Sequence, residues 1–207
     1  MSAFLGPIHH WLYNKVLWHE ALLEDIYEVI RSEGHDPDVI RHYTESLYGM
    51  PETSPLETVI DGGNIHGWLQ TKIHSLEHRM AYAITKGIEK GYLNIEALKA
   101  LYRENGGKAK AALGTTFETP DQAFKAIYDF MLEGMPCDRV NQPISSDEDG
   151  FVWQKRLCIH TDFWEAVDGD INIFNTLRLE WIDAFVSDTF KFEIMSDSQY
   201  KLSRRAA

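Results

Sequence analysis

The chain has 207 residues, a net charge of −12 and a hydrophobic share of 44%. That is material for one hydrophobic core or two small ones, and it argues against a disordered chain. The charge argues against nucleic acid or an anionic membrane as partner, since both are bound through Lys and Arg. No apolar run approaches the ~18 residues of a membrane helix. The start, Met1 to Pro7, lacks the charged and apolar regions of a signal peptide. The expectation is a cytoplasmic protein, with Cys137 and Cys158 as free thiols or ligands.

The first helix is expected from Gly6-Pro-Ile-His9, with Pro7 suited to its first turn. Ile8, Trp11, Leu12, Val16, Leu23 and Ile26 recur at helical spacing. Gly34 ends this helix, and Asp36-Pro37 opens a second one that reaches Gly49. After a linker with a short helix at Ser54-Pro55, the pattern returns. Gly63-Asn-Ile-His66-Gly-Trp68-Leu-Gln-Thr-Lys72 matches Gly6 to Lys15 at an offset of 57 residues. Glu20 then falls on Glu77, Gly34 on Gly91 and Gly49 on Gly106. Nine identities arise over 44 positions without a gap. Such a repeat defines architecture. Hairpins 6–49 and 63–106 predict a mainly α fold, a four-helix bundle of two tandem duplicated hairpins.

The segment 115–207 is expected to be a C-terminal helical cap on a single domain. Thr119-Pro-Asp-Gln122 predicts a helix start, and that helix runs through Glu133 to Gly134. Phe151 to His160 is the one strand candidate, alone or in a short hairpin. A last helix is predicted over 170–190, and the basic end, Lys201 to Arg205, reads as a solvated tail.

The repeat also selects candidate site residues. His9 and Glu20 lie 11 residues apart, hence near one helix face but ~16 Å apart along the axis. The same holds for His66 and Glu77. If the first helices of the two hairpins run parallel, the histidines meet at one level and the glutamates at another. Lys15 and Lys72 are expected to pair with the glutamates across helices. On a strand, Cys158 and His160 would share a face, with Asp162 near enough to orient His160. His9, His66 and His160 together would suit zinc or iron. Glu20 or Glu77 would carry protons. This is similar, in architecture and ligand type, to the DinB-like proteins. Read more plainly, the repeated histidines only bond or pack beside Trp11 and Trp68. Other readings are a small-molecule sensor, an oligomerising bundle, or a haem held between His9 and His66. Two apparent motifs fail. His74-Ser-Leu-Glu77-His78 has the inverzincin spacing but lies in a helical repeat whose other copy lacks it. Asp168 to Asn172 opens like a calcium loop and then departs from it at Ile173 and Leu179.

Overall fold

The computed structural model describes residues 5–133 and 138–205. It contains eight helices and a four-stranded antiparallel sheet among the described residues. None of these helices is long and apolar enough to cross a membrane. The chain divides into two compact units: residues 1–98 with 160–171, and residues 99–159 with 172–207.

The first unit holds α1 (Pro7–Ser32), α2 (Asp38–Tyr48), α3 (Leu56–Val59), α4 (Ile65–Glu89), the first turn of α5 (Ile95–Leu113) and α7 (Thr161–Glu165). Their ends follow the local chemistry. Pro7 occupies the first turn of α1. The Asn64 side chain accepts from the Gly67 amide at 3.1 Å and starts α4, while Asn94 accepts from Ala97 at 2.8 Å and starts α5. Gly34 (φ +85°) and Gly91 (φ +72°) turn the chain out of α1 and α4 through the left-handed region, where a side chain would be strained.

Along α1, positions 9, 12, 16, 19, 23, 26 and 30 alternate steps of three and four. The equivalent positions of α4 are 66, 69, 73, 76, 80, 83 and 87. Leu12, Val16, Leu23, Ile26 and Ile30 are buried, as are Leu69, Ile73, Leu76 and Ala83. This is the seam pattern of parallel helices packed layer on layer. Contacts at two levels set the direction, since His9 meets His66 and Glu20 meets Arg79 further along both helices. α2 packs on α4, where Tyr43 stacks on Tyr82 and Tyr48 on His78, and Arg41 ties it to α1 by a bidentate pair with Glu24. α5 leaves this unit after Leu98, so of the four repeat helices α1, α2 and α4 lie here whole.

The second unit holds the rest of α5, α6 (Pro120–Phe130), β1 (Asn141–Ser146), β2 (Gly150–Lys155), α8 (Ile171–Val186), β3 (Phe190–Ser196) and β4 (Gln199–Arg204). The sheet order is β1-β2-β4-β3. Phe151 and Trp153 of β2, with Tyr200 and Leu202 of β4, turn one face inward, where Phe124 of α6 meets Phe151 and Trp153 at centroid distances of 4.4 and 5.2 Å. Beneath lies a buried Arg178–Glu133 pair, with the Tyr128 hydroxyl 3.1 Å from the guanidinium.

Several expectations change here. The C-terminal segment is a helix-and-sheet unit rather than a helical cap. Residues 201–204 form β4 and not a solvated tail, because Leu202 between Lys201 and Ser203 alternates inward. β2 stops at Lys155, short of His160, although the Arg156 amide still bonds the carbonyl of Val140, its opposite residue in the β1 register, at 2.7 Å. α5 does not stop at Gly106. That glycine lies inside the helix because a Cβ there would sit 2.5 Å from the Trp181 carbonyl oxygen of α8.

The two neighbouring glycines of α5 therefore behave oppositely. Gly106→Ala forces α5 off α8 and lowers the unfolding free energy by about 1–3 kcal/mol. Gly107→Ala meets open space and raises it by roughly 0.5–1 kcal/mol through helix propensity. Urea unfolding of both variants checks the difference in sign.

Candidate functional site

The N-terminal ends of α1 and α4 form the first level of the site. His9 Nε2 lies 3.1 Å from His66 Nε2, with ring centroids 5.2 Å apart. His66 is exposed and His9 is half-buried. The Gly6 amide donates to His9 Nδ1 at 2.9 Å. A nitrogen that accepts this bond carries no proton, so the proton of a neutral His9 sits on Nε2 and is donated to His66 Nε2. One turn further on, the Lys15 ammonium stands 3.4 Å from the Trp11 ring centroid, and Lys72 lies 5.4 Å from that of Trp68. The Tyr13 hydroxyl bonds the carbonyls of Glu52 and Ser54 at 3.1 and 2.8 Å, securing the linker over this end.

About three turns deeper, the seam carries buried charge. Glu20 and Glu77 occupy equivalent repeat positions and both are buried, yet their partners differ. Glu20 takes the Arg79 guanidinium in a bidentate pair, with Nη1 to Oε2 at 2.9 Å. Arg79 Nε also donates to Ser75 Oγ at 3.3 Å, and Ser75 donates to the Gly49 carbonyl at 3.2 Å. Glu77 instead takes His160, whose Nδ1 lies 3.0 and 3.1 Å from the two carboxylate oxygens. His160 is 1% exposed and precedes the first turn of α7, whose Trp164 is buried alongside. Gly169 allows this return segment to pass close to Trp164 and Thr85, as a Cβ there would lie 2.5 Å from Thr85 Oγ1.

His19 joins the same layer. Its Nδ1 donates to the Lys15 carbonyl at 3.0 Å, which leaves the lone pair on Nε2 in the neutral ring. Burial pushes its pKa below the usual histidine range; the Lys15 carbonyl and Glu77 oppose that shift, and the charges of His160 and Lys15 add to it.

The structure thus brings His9 to His66 and separately brings Glu77 to His160. It does not bring the three histidines together. Among the described residues, no three His, Cys, Asp or Glu side chains converge on a point that would hold a metal. His160 and Cys158 do not share a strand face, since β2 has ended and His160 adopts helical backbone angles. Glu77, and not Asp162, orients His160. The two glutamates take Arg79 and His160, while Lys15 and Lys72 stand by Trp11 and Trp68. His74 and His78 flank Glu77 in sequence, but their rings pack edge-on against Phe163 while Glu77 turns to His160, so the protease-like pentapeptide makes no joint site. Cys137 lies outside the described residues, and Cys158 is a partly exposed free thiol.

Sequence reasoning missed His19 and Arg79. A signal existed: their repeat equivalents are Leu76 and Leu22. A polar residue that replaces leucine in one copy of a core repeat marks a place where the copies have been put to different use.

Arg79→Leu leaves the Glu20 carboxylate buried without its cation and lowers stability by about 3–5 kcal/mol. The double variant Glu20→Leu/Arg79→Leu recovers most of this, which a double-mutant cycle of unfolding free energies measures. His19 predicts a pH effect. Its folded pKa lies below its unfolded value, so the unfolded chain takes up the proton first and stability falls as the pH drops below about 6.5. His19→Leu reduces the loss between pH 7.5 and 5.5 relative to the parent, read from denaturant midpoints.

No protein family, curated protein or solved structure matches this chain, so its function is inferred from this geometry.

Proposed function

We propose that the chain binds a transition-metal ion, zinc or iron, between His9 and His66, and that a small molecule or water completes the coordination. The observation that carries this reading is the 3.1 Å between the two Nε2 atoms. Two imidazole nitrogens bound at 2.0–2.1 Å to one tetrahedral ion stand about 3.3 Å apart. The duplicated hairpin supports it, because a parallel repeat delivers one ligand from each copy to the same level. The exposure of His66 supports it too, since an open end leaves room for the remaining ligands. In this reading the ion acts as a Lewis acid or activates a bound water. Glu20 and Glu77 lie ~16 Å away along the helices, so proton transfer at the ion is left to water or the bound molecule. A cytoplasmic setting, with its free thiol, belongs to the same reading.

The ion would take the place of the proton now shared by the two rings. His9 must then carry its proton on Nδ1, as metal-bound histidines donate through the second nitrogen, and the Gly6 amide must release that atom. The lost bond costs about 1 kcal/mol, small beside the binding energy of a well-held ion. Haem fits less well. The two Nε2 atoms already stand within hydrogen-bond distance of each other, which leaves no room for a flat ring between them.

The Gly6 bond itself favours a second reading, a non-enzymatic clip. A hydrogen-bonded histidine pair in the first seam layer fixes register and direction, as a polar seam residue does in coiled coils.

Elemental analysis and titration with zinc or cobalt(II) separate the two. Metal binding predicts about one ion per chain and loss of at least tenfold in affinity in His66→Ala. It also predicts a shift of the Gly6 amide resonance on loading. If no ion binds, and His9→Ala and His66→Ala both lower the melting temperature, the clip is the function of the pair.

A further inference from the structure

We propose that β3 is a dimer interface, pairing antiparallel with the β3 of a second copy of this chain. The inference is independent of the histidine pair. The order β1-β2-β4-β3 leaves two edges, and an edge strand presents backbone donors and acceptors that another strand can take. The edges differ in protection. β1 has Pro143 in its middle, which removes a donor, and its register shifts between Pro143 and Ser145. β3 has no proline, and its irregularity is confined to its end, between Ile194 and Ser196. Its tip is apolar and open: Ile194 is 59% and Met195 57% exposed. Phe192 and Ile194 also border an open groove with Leu179 of α8.

The sequence of β3 specifies the occupant. In an antiparallel pair with its two-fold axis at Phe192, Lys191 faces Glu193 of the other copy and Glu193 faces Lys191. Phe192 then meets Phe192, and Phe190 meets Ile194. Both ion pairs and the apolar contacts form at once, as a closed isologous interface requires. Moving the axis to Glu193 would set two glutamates opposite each other. Moving it by half a step would set Phe192 against Glu193. Lys191 and Glu193 now neutralise one another within the strand at 2.8 Å, so the lysine that would guard this edge is already matched by a charge of the opposite sign.

Sedimentation velocity of the full chain over a concentration series tests this. The expected result is a monomer–dimer equilibrium. Lys191→Glu and Glu193→Lys should each weaken it by about tenfold, because one reversal turns both symmetric pairs repulsive. The double swap Lys191→Glu/Glu193→Lys should restore it. Hydrogen exchange on the unmodified chain gives a readout free of folding effects, since amides within 190–194 should gain protection as concentration rises. A chain that stays monomeric overturns the proposal. So does a dimer whose β3 amides remain unprotected, or one that neither single reversal weakens.

Discussion

Parallel packing of α1 on α4 brings like against like. Histidine meets histidine at the first layer, leucine and valine stand level with leucine and isoleucine below, and glutamate lies level with glutamate further down. Burying each aliphatic side chain of this seam contributes about 1.5–3 kcal/mol. The seam therefore contributes a large share of the apolar burial in the first unit and sets the levels at which α1 and α4 residues meet. α2 and the return segment 160–171 are added to a pair whose register is already set.

A pair of repeats also places equivalent acidic residues alike. Glu20 and Glu77 are both buried, and a buried carboxylate without a partner is costly. The chain resolves this by breaking its own symmetry. α4 supplies Arg79 to Glu20 from a position that is leucine in the first copy, and the return segment supplies His160 to Glu77. The second pair helps fasten residues 160–171 to the unit, beside buried Trp164 and the contact of Phe163 with His74 and His78. The same departure from symmetry puts His19 in the deep layer, where burial lowers its pKa, while the upper histidine pair stays at an open end. The open histidine pair and the buried polar groups thus belong to two levels of the same two helices.

The repeat was legible in the sequence by counting, and so were most helix ends. Pro7, Asn64, Asn94, Gly34 and Gly91 act through their own backbone or the next three residues. Gly106 looked like another stop because its reason for being glycine is a carbonyl of α8, far along the chain. The strands were hidden for a similar reason. β4 alternates Tyr200 and Leu202 inward with Lys201 and Ser203 outward, but it is short and its charges read as a tail until β2 and β3 lie beside it.

The sequence alone determined the periodicity of α1 and α4, the offset that relates them, and the choice of His9, His66, Glu20 and Glu77 as matched positions. These are local or countable properties. Tertiary structure decided that the matched histidines touch, that the matched glutamates take unlike partners, and that His160 serves Glu77 instead of joining His9. Partner choice for a buried charge is settled by which donor comes within hydrogen-bond distance in a dry core, and no spacing within a single helix specifies that.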